Sequence, residues 1–511
     1  MIAKINSAGL CGMQGYMIQA EADVSPGIPA WEIVGLPDVA VRESKERIRS
    51  AVKHAGFQIP GKRMVINLAP ADVKKEGAYL DLPIALGILV SSGQLPISDM
   101  ADAAFFGELS LDGRLRPIRG ALPLAITAYQ NGIRRLFLPE ENAREAAVVS
   151  EITVYGISSL GQLLEHLLGE MALKKAELDV DALFRQAARS ALDFAEVKGQ
   201  KNAKRALEVA AAGGHNVLLI GPPGSGKTML AQRIPSILPN FSFAEALEVT
   251  KVHSIAGKLK KDEPMVLRRP FRSPHHTVSA AGLTGGGSNP KPGEVSLAHH
   301  GVLFLDELPE FRKEALEILR QPLEDGTVTI TRASGSFSYP CNVMLVASMN
   351  PCPCGYYGDK THGCSCAPAQ IQRYLGKVSG PLLDRIDLHI EVPTVAYEDL
   401  EQKQEMGEPS AKIKERVDRA REIQMARYRG SGIYSNSQLT PGLMEEFCSL
   451  EPAAAELLRQ AFENLGLSAR AHNRILKVAR TIADLSGSKN IEPMHLAEAI
   501  QYRSLDRKFW A

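Results

Sequence analysis

The sequence predicts an α/β fold: a parallel nucleotide-binding sheet in the middle of the chain, an α+β domain before it and a helical region after it. Three observations carry this. From about Phe194 to Val392, short apolar strands (Asn216–Ile220, Val302–Leu305, Val343–Ala347) alternate with helical stretches, which favours a parallel sheet. The first ~170 residues also alternate strands and helices, punctuated by turn residues. After Pro393 the pattern turns helical and polar to the last residue.

In chain order, the first region shows strands at Met64–Leu68 and Arg135–Leu138, helices over Leu82–Ser91 and Ala121–Asn131, and a turn at Asp112-Gly113. A charged stretch from about Ala172 to Arg189 reads as a helical connector. Inside the nucleotide-binding region, Gly282 to Gly293 is rich in Gly, Ser, Asn and Pro and reads as a mobile loop. The clearest later helices are Ser410–Arg427, Pro452–Leu465 and Ala469–Leu485. The expected boundaries are therefore 1–170, a linker 171–193, a nucleotide-binding core 194–395 and a helical lid 396–511.

A chain of 511 residues is too long for one core, and 45% hydrophobic with 23% charged residues is ordinary for a globular protein. No apolar run approaches the ~18 residues that span a bilayer, and Met1 to Asn6 show no secretory pattern, so a cytoplasmic protein without a membrane partner is expected. A net charge of +1 supplies no global attraction to nucleic acid, although a local basic stripe or pore can do so.

The segment Gly221-Pro222-Pro223-Gly224-Ser225-Gly226-Lys227-Thr228 follows an apolar strand and opens a helix. Glycines let backbone N–H groups turn toward phosphates, Lys227 reaches the terminal phosphates, and Thr228 ligates Mg²⁺. Downstream, Gly301 to Leu305 is a buried strand ending in Asp306-Glu307, two acids where such a fold needs them. Asp306 is assigned to magnesium and Glu307 to the general base. A third strand runs into Ser348-Met349-Asn350-Pro351, where the Asn350 amide is placed to orient the hydrolytic water. ATP and Mg²⁺ are the expected cofactors.

Together, GPPGSGKT, FLDELPEF, ASMNPCPCG and Gly380-Pro381-Leu382-Leu383-Asp384-Arg385-Ile386-Asp387 resemble the magnesium-chelatase-like AAA+ ATPases, and most of all their ComM/YifB branch, over essentially the whole chain. The resemblance implies an AAA+ core with a helical C-terminal lid, assembled into a ring, usually a hexamer, with ATP sites between subunits. It makes Arg385 the arginine finger that reaches a neighbour's ATP; the alternative is an intrachain pair with Asp384 or Asp387. Ser468 to Arg474 resembles the family's second sensor, with Arg470 as the phosphate contact and Arg474, on the same helix face, as its rival.

Of the seven cysteines, Cys352, Cys354, Cys364 and Cys366 crowd an insertion at 352–366, as C-x-C-x9-C-x-C. Four thiolates suit tetrahedral zinc, with His362 able to replace one, although C-x-C is tighter than usual; free or redox-active thiols are the alternative. The hairpin candidate Thr327–Tyr339, turning near Ser334-Gly335 with Arg332 near its tip, corresponds in related AAA+ helicases to a DNA-gripping pore element; the alternative is an edge hairpin with a solvated Arg. The Leu283–Pro292 loop with Lys291 is a second pore candidate. His275-His276 and His299-His300 read as structural.

Residues 1 to about 165 resemble the proteolytic domain of Lon proteases, an α+β, ribosomal-S5-like fold, through Lys75 to Pro83, Gly107-Glu108-Leu109 and Arg116 to Leu122. Tyr79 stands where that family has its nucleophilic Ser and Leu122 where it has its Lys, so a peptidase fold without peptidase chemistry is expected, reused for DNA binding or ring assembly. The resemblance as a whole implies an ATP-driven DNA motor, a helicase or branch-migration enzyme, acting on single-stranded or branched DNA in recombination of incoming DNA during natural transformation. A magnesium-chelatase-type ATPase remodelling a metal-insertion partner is the alternative.

Overall fold

The computed structural model describes residues 2–505 and 509, apart from 97–99, 188–191, 261, 288–289, 333–334, 360–361, 395–406 and 466–467. Arg189, Ser334 and residues 396–406, on which expectations fell, lie outside the described residues. The chain forms two compact units: Met1–Gln186 with Ala246–Leu267, and Ala187–Glu245 with Arg268–Ala511.

The first unit is built on a seven-stranded mixed sheet. Its strands are β1 (Ala3–Cys11), β2 (Gln14–Ser25), β3 (Ala30–Val34), β4 (Arg63–Ala69), β5 (Ala103–Phe105), β6 (Arg135–Pro139) and β7 (Thr153–Ile157), in the order β3-β4-β2-β1-β5-β6-β7. The β1–β2 and β2–β4 pairs are antiparallel and the others parallel. Helix α1 (Asp81–Ser91) is apolar on nearly all sides and almost wholly buried, packing against β1 and β2. A helix hydrophobic all round is stable only inside a core. Helix α2 (Ala121–Gln130) also covers β1 and β2. Tyr79 lies just before α1, and Leu122 is buried in the first turn of α2 with its N–H donating to Glu145 Oε1 at 2.9 Å. Of the helix expected over 172–189, the described residues are helical over Val180–Ala187, and Lys175 instead bridges Tyr155 at the sheet edge. Asp179, whose side chain accepts from the Ala182 N–H, starts the helix there.

The second unit holds a five-stranded parallel sheet. With α3 (Lys201–Gly213) preceding it, β8 (Val217–Ile220) is followed by α4 (Lys227–Arg233), β9 (Phe271–Arg272), β10 (Val302–Leu305), the hairpin β11 (Thr327–Arg332) and β12 (Gly335–Pro340), β13 (Met344–Met349), α5 (Pro368–Leu375) and β14 (Leu388–Glu391). The sheet order is β9-β10-β13-β8-β14, every pair parallel. Strands β8, β10 and β13 are buried at every position, hence their near-continuous apolar runs, broken only by Ser348. Strand β9 carried no readable signal in two residues. Within the Gly282–Gly293 stretch, expected as a mobile loop, Gly285–Gly286 pairs antiparallel with Lys291–Pro292.

The later helices fall where the periodicity put them: α6 (Ser410–Arg427), α7 (Pro452–Leu465) and α8 (Ala469–Leu485), followed by α9 (Pro493–Gln501). Helix α6 packs on α3 and α8. Buried Asp484 joins them, accepting from Arg427, Arg480 and Asn436. Among the described residues no helix is long and apolar enough to cross a membrane.

Candidate active site

The phosphate loop leaves the carboxyl end of β8 and feeds α4. Two of its glycines are required by geometry. A Cβ on Gly221 would meet the Val392 carbonyl oxygen at 2.1 Å, and Gly226 turns the chain at φ 89°, a region L side chains disfavour. Lys227 folds back over the loop, its Nζ donating to the Gly221 and Pro222 carbonyls at 2.7 and 2.8 Å. It also approaches Asn350 Oδ1 at 3.3 Å. Burial pushes the Lys227 ammonium down to about 8, against the pull of Asp306 and Glu307.

The acids at the end of β10 meet this loop. Thr228 Oγ1 donates to Asp306 Oδ2 at 2.9 Å, while Ser348 Oγ and the Glu307 N–H both donate to Asp306 Oδ1. These are hard oxygen donors at a parallel sheet's carboxyl edge, so the residues present fit Mg²⁺. Glu307 has φ 54°, rare for a residue with a side chain, and its half-exposed carboxylate is 3.7 Å from His276 Nδ1. Backbone strain of this kind clusters at working sites. Lys227, Thr228, Asp306, Glu307 and Asn350 are thus brought together.

The basic residues gather elsewhere. Arg385, Arg470 and Arg474 line one cavity of about 770 Å³ whose lining includes no residue of the 221–228 loop. Arg385 pairs with neither Asp384 nor Asp387: it donates to Glu324 and, at 2.7 Å, to the Pro381 carbonyl. Glu324 reaches it across the fold from the end of a short helix (Arg320–Asp325), a contact no local pattern announces. Arg470 is exposed, 3.6 Å from Asp384, and Arg474 is largely buried against Asp387. Burial would raise the Asp387 carboxyl, but Arg474 and His215, whose Nδ1 lies 3.6 Å away, outweigh it and hold the group well below the usual carboxylate range. The Nε atoms of Arg385, Arg421 and Arg474 are buried without a hydrogen-bond partner among the described residues. Such donors suit an anion.

The hairpin β11–β12 packs Ile330 against Gly285, where an added Cβ would also strike the Lys291 carbonyl oxygen at 2.3 Å. Tyr339 Oη donates to the Pro290 carbonyl at 2.6 Å, and Arg332 reaches Gly286. Arg332 and Lys291, read separately in the sequence, therefore sit on adjoining hairpins. The four clustered cysteine sulfurs lie within 4.8 Å of one another. His362 is not among them; its ring lies against Tyr356 and 3.8 Å from Asp359.

Three residues were not legible as site residues. Gln200, in a left-handed conformation (φ 55°), donates from Nε2 to the Ser225 carbonyl at 3.3 Å and the Pro393 carbonyl at 2.7 Å, clasping the phosphate loop. Its signal was the Gly199-Gln200 pair before an unpunctuated helix. Ser348 looked like one more strand residue, and His276 like a structural histidine.

Residues 193–400 match the family described as "Magnesium chelatase, subunit ChlI", residues 407–503 its C-terminal part, and residues 20–142 "Subunit ChlI of Mg-chelatase". The chain is 45% identical to competence protein ComM of Haemophilus influenzae over 99% of its own length and 98% of that protein's. It is 42% identical to YifB of Escherichia coli over 98% and 97% of the two chains. A weaker likeness, 27% over 166 residues, links it to 30% of its length and 20% of the Lon protease of Rhizobium meliloti.

Proposed function

This chain belongs to the ComM/YifB family of magnesium-chelatase-like AAA+ ATPases, and from that premise we propose that it is a ring-forming, ATP-driven motor on branched DNA. The observation that carries the proposal is the separation of the two halves of the ATP site. Loop, acids and Asn350 converge at one sheet edge, while Arg385, Arg470 and Arg474 converge in a cavity that no loop residue lines. A subunit so arranged supplies the arginines to a neighbour's nucleotide, and a hexamer is the closed ring we favour.

Within each site, Lys227 binds the terminal phosphates and Glu307 takes the proton of the attacking water, which Asn350 orients. Thr228 and Asp306 would hold Mg²⁺, which supplies charge neutralisation on the phosphates. Arg385 leaves Glu324 to meet the charge developing on the transferred phosphoryl group.

The adjoining hairpins with Arg332 and Lys291 support a grip on a phosphate backbone. The Haemophilus relative's name supports a place in competence, where incoming DNA is recombined, and the family name supports the second proposal, remodelling of a metal-insertion partner. The test is unwinding or migration of a forked or four-way DNA junction with ATP, beside ATPase stimulation by DNA and by a porphyrin-chelating partner. Movement that Glu307→Gln abolishes is expected. A wild-type ring that moves no branched DNA contradicts the motor, and stimulation by the chelating partner alone selects the second proposal.

A further inference from the structure

Strand β13 ends at Met349 and runs through Asn350 and Pro351 straight into Cys352, the buried first member of the cysteine cluster. The sulfurs of Cys352, Cys354 and Cys364 are separated by 3.3, 3.6 and 3.7 Å. A disulfide needs ~2.05 Å. A tetrahedron of thiolates around zinc at ~2.3 Å has edges of ~3.8 Å, close to what these sulfurs form. Backbone N–H groups point at them: Tyr357 to Cys352, Cys354 to Cys366 and Cys366 to Cys364, at 3.3, 3.4 and 3.4 Å. Amide donors around clustered sulfurs are what anionic, metal-bound thiolates require.

The cluster also touches the ATP site. Gly355, turned at φ 90°, leaves no room for a Cβ, which would meet Pro223 Cδ of the phosphate loop at 2.5 Å. On the other side, Asn350, two residues before Cys352, approaches Lys227 Nζ with its Oδ1 at 3.3 Å.

We propose that Cys352, Cys354, Cys364 and Cys366 bind one zinc ion, and that this knuckle sets the positions of Asn350 and Pro223 for ATP turnover. Metal binding needs only the cysteines. The link to turnover rests on the ATP-site assignment above.

The experiment uses the full-length protein purified from zinc-supplemented cells. Elemental analysis is expected to give about one zinc per chain, and a native thiol titration to find the four cluster thiols protected and released together with the metal. Cys354→Ser and Cys364→Ser should each lose most of the zinc. Gly355→Ala should keep it yet lower ATP turnover about tenfold, through Pro223. Less than about a tenth of a zinc per chain, iron in its place, or freely reacting cluster thiols would overturn the metal assignment. Zinc release that leaves turnover unchanged would overturn the coupling. A zinc-loaded protein that moves no DNA would contradict the motor and leave this site standing.

Discussion

Lys227 shows how much chemistry a single half-buried charge carries. Its ammonium is pushed down to about 8 by burial, so the nucleotide-free protein loses that proton as pH rises through 8. ATP restores the charge, and its binding above pH 8 must therefore take up a proton; affinity should fall by up to about tenfold per pH unit there. Calorimetric titrations at pH 7 and pH 9, in buffers of different ionisation heat, check this, with proton uptake expected at pH 9 only. Glu307 is a different case, since its φ of 54° and exposed carboxylate suit a proton acceptor rather than a ligand-holding group. Glu307→Gln should bind ATP as tightly as the wild type while turnover drops about 10²–10⁴-fold. Equal losses in binding and turnover would contradict that role. The motif residues of this site were readable because phosphate chemistry restricts their type and spacing. Gln200, Ser348 and His276 were not, because each acts through a partner distant in sequence.

Among the elements, strands and long helices followed their patterns closely, and the exceptions have physical causes. Within the stretch expected to be loop at Gly282–Gly293, Gly285–Gly286 pairs with Lys291–Pro292, because Gly285 allows the Lys291 backbone to approach without a side chain between them. Lys291 lies on that two-stranded ribbon, and Arg332, which reaches Gly286, lies on the adjoining β11–β12 hairpin. Arg332→Ala and Lys291→Ala should each weaken DNA binding at all sequences and reduce the salt slope by about 1, with ATP affinity unchanged, as salt titrations of a labelled oligonucleotide would measure. The helical region adds a buried charge to its apolar stripes. Asp484 is fully buried between Arg427 and Arg480, and Asp484→Ala strands two guanidinium groups, for a loss of about 3–5 kcal/mol seen in denaturant unfolding. Nothing in the periodicity of α6 or α8 announces this network, because periodicity reports apolar faces and not which buried charges meet.

For the whole molecule, the decisive arrangement is that the phosphate loop and the arginine cavity do not share residues. Lys227→Ala and Arg385→Ala chains should each be nearly inactive alone. Mixed in equal amounts, they should regain activity at the roughly one interface in four that pairs an intact loop with an intact arginine. Steady-state ATPase of the mixture against each variant measures this, and no recovery would contradict sites shared between subunits. The sequence by itself determined the fold class, the phosphate loop, the paired acids and the family, because these depend on local backbone conformation and on residue type at short spacing. Only the tertiary structure decided that Arg385 meets Glu324, that Arg470 and Arg474 join it, and that the two basic hairpins adjoin. It also put the cysteine knuckle against Pro223. Those contacts link residues far apart in the chain, and packing, not pattern, brings them together.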